Sequence, residues 1–271
     1  MVRPLFLLQR TMLDVEFMQL SDPGRVRGRN EDYLGHVNAG DAGWLFALAD
    51  GVGGHQKGEV ASHAAVESVL AGFREAPGGE SHAALLPRLV QTANLKVYET
   101  GRAASPGGMA MATTLVTCAL RHDRAVVAHV GDSRCYLIRH DHATALTRDH
   151  TVVADQVRLG ILSAAEAAGA STRHVLSRSL GNDLFVNVDS SEHQVIAGDV
   201  LALCSDGLYG AVGASEMAHL VTHGANLETS AQKLVALANQ RDGSDNISVQ
   251  LIRVRGVERV GMYRGRPYKL R

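Results

Sequence analysis

Four aspartates each close or open an apolar run. The runs are Trp44-Leu45-Phe46-Ala47-Leu48-Ala49-Asp50-Gly51, Val126-Val127-Ala128-His129-Val130-Gly131-Asp132, Leu201-Ala202-Leu203-Cys204-Ser205-Asp206-Gly207 and Asp245-Asn246-Ile247-Ser248-Val249. Short Val/Leu-rich runs bounded by glycine read as buried strands. A carboxylate at such a strand end is partly desolvated and held by a stiff scaffold. Should the ends converge, two charges about 4 Å apart at an effective dielectric near 20 repel by roughly 4 kcal/mol. A cluster of this kind takes up protons or binds cations. Its all-oxygen donors suit Mg²⁺ or Mn²⁺.

The elements that must position these residues are legible in outline. Residues 15–20, 33–37 and 44–49 read as strands, separated by turn clusters such as Ser21-Asp22-Pro23-Gly24. The period then changes. Val66, Val69, Leu70 and Phe73 lie on one helical face, and a second helix is expected over residues 82–103, broken by Ser105-Pro106-Gly107-Gly108. Residues 113–120, 125–130 and 134–139 follow with short polar connections, predicting a three-stranded antiparallel meander. Residues 149–180 turn helical or irregular, and the Ala/Gly-rich part within 160–180 predicts a mobile flap. A strand over 195–204 turning at Ala197-Gly198-Asp199, helices over 215–221 and 228–240, and a strand over 247–254 complete the pattern. Strands and helix pairs in this order predict an α+β domain in which helices cover stacked antiparallel sheets. We divide the chain into an extension (residues 1–14), one domain (15–255) and a basic tail (256–271), in which five Arg or Lys residues face only Glu258.

Composition narrows the options further. A net charge of −1 and a pI near 6.9 exert no global pull on nucleic acid or anionic membrane. No apolar stretch approaches a membrane span, and Leu5–Leu8 followed by Gln9 and Arg10 falls short of a signal peptide. Cys118, Cys135 and Cys204 are odd in number, lack Cys-x-x-Cys or Cys/His spacing and sit in or beside apolar strands. They are expected to be buried free thiols in a reducing, cytoplasmic compartment.

Five stretches, in order and over residues 20–254, resemble the bacterial branch of the type 2C metal-dependent protein phosphatases. They are Ser21-Asp22-x-Gly-x-Val-Arg27-x-x-Asn30-Glu31-Asp32, Ala49-Asp50-Gly51-Val52-Gly53-Gly54 with Gly58-Glu59, Val130-Gly131-Asp132-Ser133-Arg134, Cys204-Ser205-Asp206-Gly207-Leu208 and Ser244-Asp245-Asn246. Ala112-Thr113-Thr114 and Leu146-Thr147-Arg148-Asp149-His150 extend the likeness. The resemblance implies an α-β-β-α sandwich of two antiparallel sheets with the metals at one edge. It implies that Asp50 bridges two Mg²⁺ or Mn²⁺ ions, that the Gly51 carbonyl completes one of them and that Asp206 and Asp245 ligate the other. Glu31 and Asp32 would act through metal-bound waters, Asp132 would help hold a third ion, and Arg27 would grip the substrate phosphate. Asp50, Asp206 and Asp245 are thus the expected catalytic set.

The implied activity is hydrolysis of phosphoserine and phosphothreonine on proteins by a water bridging the two ions, opposing a serine/threonine kinase. A guanidinium suits phosphoryl oxygens better than an ammonium does. A monomer is expected, with a phosphoprotein as its partner and neither nucleic acid nor membrane. The rival reading is a catalytically weak phosphoprotein-binding or scaffold member of the same fold. Another is a two-metal nuclease, which would need a basic groove that the composition does not offer. In the resemblance one position departs: many eukaryotic members carry His directly after this Asp-Gly, where this chain has Val52. The leaving alkoxide is therefore expected to take its proton from water. His55, the nearest of the 13 histidines in sequence, is read as a surface loop residue.

Overall fold

A computed structural model describes residues 13–52, 56–77, 79–104, 111–257, 260–263 and 266–269. In chain order the strands β1 (Asp14–Asp22), β2 (Asp32–Asn38) and β3 (Trp44–Val52) precede the helices α1 (Gln56–Arg74) and α2 (His82–Ala104). Then follow β4 (Ala112–Thr113), β5 (Leu115–Arg121), β6 (Arg124–Val130), β7 (Arg134–Arg139) and β8 (His142–Ala145). Two short helices, α3 (Val152–Arg158) and α4 (Ala164–Gly169), lead to β9 (Asp189–Gln194) and β10 (Val200–Cys204). The remainder is α5 (Asp206–Tyr209), α6 (Ala214–Thr222), α7 (Leu227–Arg241), β11 (Ile247–Gly256), β12 (Val260–Tyr263) and β13 (Arg266–Lys269).

Two antiparallel sheets stack face to face, in the orders β2-β3-β5-β6-β9 and β1-β11-β10-β7-β8, with β4 paired to β3. Side chains alternate across a strand, so β3 is buried on both faces. Leu45, Ala47 and Ala49 meet Val66, Leu70, Phe73 and Leu89 of α1 and α2, while Phe46 and Leu48 meet Leu201, Leu203 and Ile252 of the other sheet. On the far side, Ala202, Val249 and Leu251 pack against Met217, Val221 and Leu234 of α6 and α7. Burial on both faces, across three apolar interfaces, explains why the central strands read as continuous apolar runs instead of alternating ones. The expected α-β-β-α sandwich is the fold observed.

Two local expectations need correction. The predicted meander breaks after its second strand: β5 and β6 pair, but β7 joins β10 and β8 in the other sheet. Gly131, at φ +100°, turns the chain across the gap, and a Cβ there would strike Thr114. Of the strand expected over 195–204, only β10, starting at Val200, is strand; the turn at Ala197-Gly198 precedes it, and β9, in the other sheet and ending at Gln194, is not among the expected strands. β9 escapes a hydrophobicity reading because its sequence, Asp-Ser-Ser-Glu-His-Gln, is polar throughout and it lies at a sheet edge. The basic tail is in part ordered backbone, since β12 and β13 form a hairpin with Val260 opposite Lys269. The expected helix breaker at 105–108 lies outside the described residues, as do residues 1–12 of the extension.

Cys118, Cys135 and Cys204 are all buried and free. Among the described residues no helix is long and apolar enough to cross a membrane.

Candidate metal centre

Asp32 opens β2 and Asp50 lies near the end of β3, and the two are direct cross-strand partners. Like charges directly opposite on a sheet destabilise it, so this register needs a compensating cation or proton. From the second sheet, Asp206 starts α5 after β10, and Asp245 stands just ahead of β11. Asp132 sits in the crossover between the sheets, after β6 and before β7. The strand ends of both sheets therefore deliver acids to one edge of the sandwich. They surround a cleft of about 520 Å³ lined by Arg27, Glu31, Asp50, Gly51, Asp132, Asp206 and Asp245. Of the seven acid and glycine positions expected at the centre, only Asp32 stands behind this wall, buried at 7% exposure.

Supporting contacts hold these groups in place. Asp50 donates its N–H to Thr114 Oγ1 at 2.9 Å, and its carbonyl accepts from Thr113 Oγ1 at 2.8 Å. Ser205 Oγ donates to Asp32 Oδ2 at 2.8 Å and accepts the Ser248 N–H at 3.0 Å, tying the first sheet to the second. Asn246 staples the arginine-bearing loop: its Oδ1 accepts the Glu31 N–H at 2.8 Å, while Nδ2 donates to the carbonyls of Pro23 and Arg29. Gly51 and Gly58 let β3 and the first turn of α1 touch backbone to backbone, with no room for a Cβ on Gly51.

Electrostatics match the geometry. Burial, reinforced by Asp206 and Asp245, pushes the Asp32 carboxyl up to about 7. Burial together with Asp206 and Asp149 does the same to Asp132, also to about 7. Asp50 is raised well above the ordinary range by burial and by its four acidic neighbours. Asp32 Oδ1 and Asp206 Oδ1 are buried without a hydrogen-bond partner. Unpartnered buried oxygens are costly, and a hard divalent cation supplies what they lack. The donor set fits Mg²⁺ or Mn²⁺.

Of the three arginines near the loop, Arg27 turns to the cleft, donating from Nη2 to Asp245 Oδ2 at 2.8 Å. Arg29 faces Glu59, and Arg25 is fixed through its backbone N–H to the Gly243 carbonyl. Val52 lines the cleft as expected, whereas His55 lies outside the described residues. Sequence reasoning passed over His174, whose Nδ1 is 3.4 Å from Asp206 Oδ2. It also missed the supporting roles of Thr114, Ser205 and Asn246. The three supporting residues lie inside or beside the quoted motifs; His174 belongs to a segment with no pattern of its own.

That segment, expected as a flap over 160–180, is shorter than predicted. His174, Val175, Leu176 and Ser179 line the cleft, but Leu180 is fully buried and exchanges both backbone hydrogen bonds with Thr113. Leu159 and Ile161 are more than three-fifths exposed. Amide exchange should be fast over residues 160–174 and slow at Leu180 and in β6. Equal protection across all three in an exchange experiment would remove the flap.

Comparison with known proteins agrees with this fold. Residues 25–245 match the family model described as protein phosphatase 2C. The chain is 34% identical over 251 residues to a serine/threonine phosphatase, stp, of Listeria innocua, covering 91% of this chain and 96% of that one. It is similar in structure to the Streptococcus agalactiae serine/threonine phosphatase, with a TM-score of 0.83 and 34% identity over 89% of this chain and 100% of the other. The catalytic domain of the phosphatase PstP in complex with two manganese ions superposes with a TM-score of 0.77 and 32% identity, covering 90% and 99%. The chain belongs to the protein phosphatase 2C family of metal-dependent serine/threonine phosphatases.

Proposed function

We propose that this chain removes phosphate from phosphoserine and phosphothreonine in proteins, with Asp50, the Gly51 carbonyl, Asp206 and Asp245 holding two Mg²⁺ or Mn²⁺ ions. Asp132 would hold a third, and Glu31 and Asp32 would support the pair. The observation that carries the reading is a pair of unpartnered buried oxygens, Asp206 Oδ1 in the wall of a cleft rimmed by an arginine and Asp32 Oδ1 behind that wall. When bound, the ions would acidify a water and offset the negative charge carried by the phosphoryl oxygens.

The chain's own groups do the rest. Arg27 is half exposed at the rim, where its guanidinium can bind two phosphoryl oxygens and orient the ester. Asn246 and Ser205 fix the loop and the sheet seam, so the acids hold their spacing without reorganising. Val52 neither gives nor takes a proton, leaving the departing alkoxide to be protonated by solvent in the open cleft. A phosphoprotein entering this cleft implies a serine/threonine kinase that made it. The three buried free thiols support a reducing, cytoplasmic setting.

Turnover of a phosphothreonine peptide should vanish in excess EDTA and return with Mn²⁺. Undiminished hydrolysis in the chelator would overturn the metal mechanism. Peptide binding without any turnover in Mn²⁺ would instead mark a scaffold.

A further inference from the structure

A second group of ligand-type side chains stands at the opposite end of β7. The β7–β8 hairpin turns on His140 and Asp141, both at positive φ, which pairs Arg139 with His142. The turn lies against α6, whose last turn carries His219 and whose C-cap is His223. Asp141 Oδ2 is 3.7 Å from His219 Nδ1 and 3.4 Å from His223 Nε2, and the ligand atoms of all three lie within 4.8 Å of one another. Bonds of about 2.0–2.1 Å in a tetrahedral site put neighbouring ligand atoms about 3.4 Å apart. The observed spacings already approach that edge length.

We propose that Asp141, His219 and His223 form a separate site for a late first-row cation, Zn²⁺, Ni²⁺ or Cu²⁺. Two imidazoles and one carboxylate favour these ions over Mg²⁺ and Mn²⁺, which prefer all-oxygen shells. The C-terminal end of α6 adds the negative partial charge of its aligned carbonyls, which favours a cation there. No lysine or arginine pairs with Asp141 among the described residues. The group of the buried His129 and His150 with the half-exposed Asp189 differs on this point. There the Arg178 guanidinium lies 3.2 Å from His150 Nε2 and 2.8 Å from Asp189 Oδ1, standing where an ion would go.

The proposed site is distinct from the phosphatase centre. Asp132 and Asp141 flank the two ends of β7, whose six residues at about 3.3 Å each separate them by roughly 20 Å. Cation binding there fastens the hairpin to α6 and should raise the melting temperature. Spacing along the chain hides the site, because Asp141 and His219 meet only through the fold.

The test is equilibrium dialysis of the full chain against Zn²⁺ in excess Mg²⁺, comparing wild type with the double variant His219→Ala/His223→Ala. Wild type should retain one more Zn²⁺ per chain and show a Zn²⁺-dependent rise in melting temperature that the variant lacks. With Cu²⁺, its electron paramagnetic resonance spectrum should show coupling to imidazole nitrogen that the variant loses. Asp141→Asn, which keeps a residue tolerant of the left-handed turn, should weaken Zn²⁺ binding by about tenfold or more, at least what a lost supporting partner costs. Mg²⁺-supported phosphatase activity should be equal in all three proteins. Equal Zn²⁺ stoichiometry in wild type and double variant, or copper spectra that coincide, would overturn the proposal.

Discussion

Asp206→Asn is expected to abolish phosphopeptide turnover while leaving the fold intact. The substitution keeps the size and shape of the side chain but replaces an acceptor oxygen with a donor NH2 and removes the charge that, in the proposed assignment, would help hold the ions. Metal-ion catalysis supplies several kcal/mol of transition-state charge stabilisation. At 1.36 kcal/mol per decade, losing it slows kcat by about a thousandfold or more. The Mn²⁺ titration should also shift to higher concentration. Arg27→Ala provides the contrast. Its pairing with Asp245 is between groups 49% and 36% exposed, so losing it costs at most about 1 kcal/mol. Metal affinity should stay near wild type while KM for phosphopeptide rises, as expected when binding common to ground and transition states is removed. Should the metal curves move more for Arg27→Ala than for Asp206→Asn, the two roles are reversed.

The second large effect is on stability. In chelator, the folded protein carries Asp32 and Asp132 with their carboxyls held up at about 7 by burial, from an ordinary value of 3.8. A folded state that holds protons more tightly than the unfolded chain is favoured at low pH. The advantage is lost as pH rises from about 4 through about 7. Each fully ionised group then costs on the order of 4 kcal/mol. Melting temperature in EDTA should therefore fall across that window, and the gain on adding Mn²⁺ should be larger at about pH 8 than at about pH 5. Asp132→Asn should flatten part of the fall. A chelated protein whose melting temperature holds steady or climbs over the window would show that these acids are not crowded together as described.

The strand ends and their acids were legible because both signals are local. A buried strand shows as an apolar run, and a carboxylate at its end breaks the run visibly. Sheet membership is not local. Nothing in 125–139 distinguishes β7 as the neighbour of β6 from β7 as the neighbour of β10, since both arrangements bury the same Val, Leu and Ile side chains. Only Gly131 marked the crossing, and a glycine between strands equally suits a hairpin. β9 was invisible because edge strands need little apolar surface. His174 reaches the cleft from an irregular segment, where neither period nor motif points to a side chain. Asn246, by contrast, stood in a quoted motif. Its task of joining Glu31, Pro23 and Arg29 depends on chain segments more than two hundred residues away.

The strand order has a consequence for the history of each molecule. β11, the last strand of its sheet in the chain, lies between β1, the first, and β10, with Asp14 opposite Gly256. A nascent chain that has made Asp32, Asp50, Asp132 and Asp206 still lacks both the strand that joins β1 to its sheet and the final acid, Asp245, directly before it. Contacts spanning nearly the whole chain close slowly, because so much loop entropy must be surrendered before any pairing energy is gained. Assembly of this sheet and onset of hydrolysis should coincide, so that no stretch of the growing polypeptide can attack phosphoproteins before synthesis has passed Asp245.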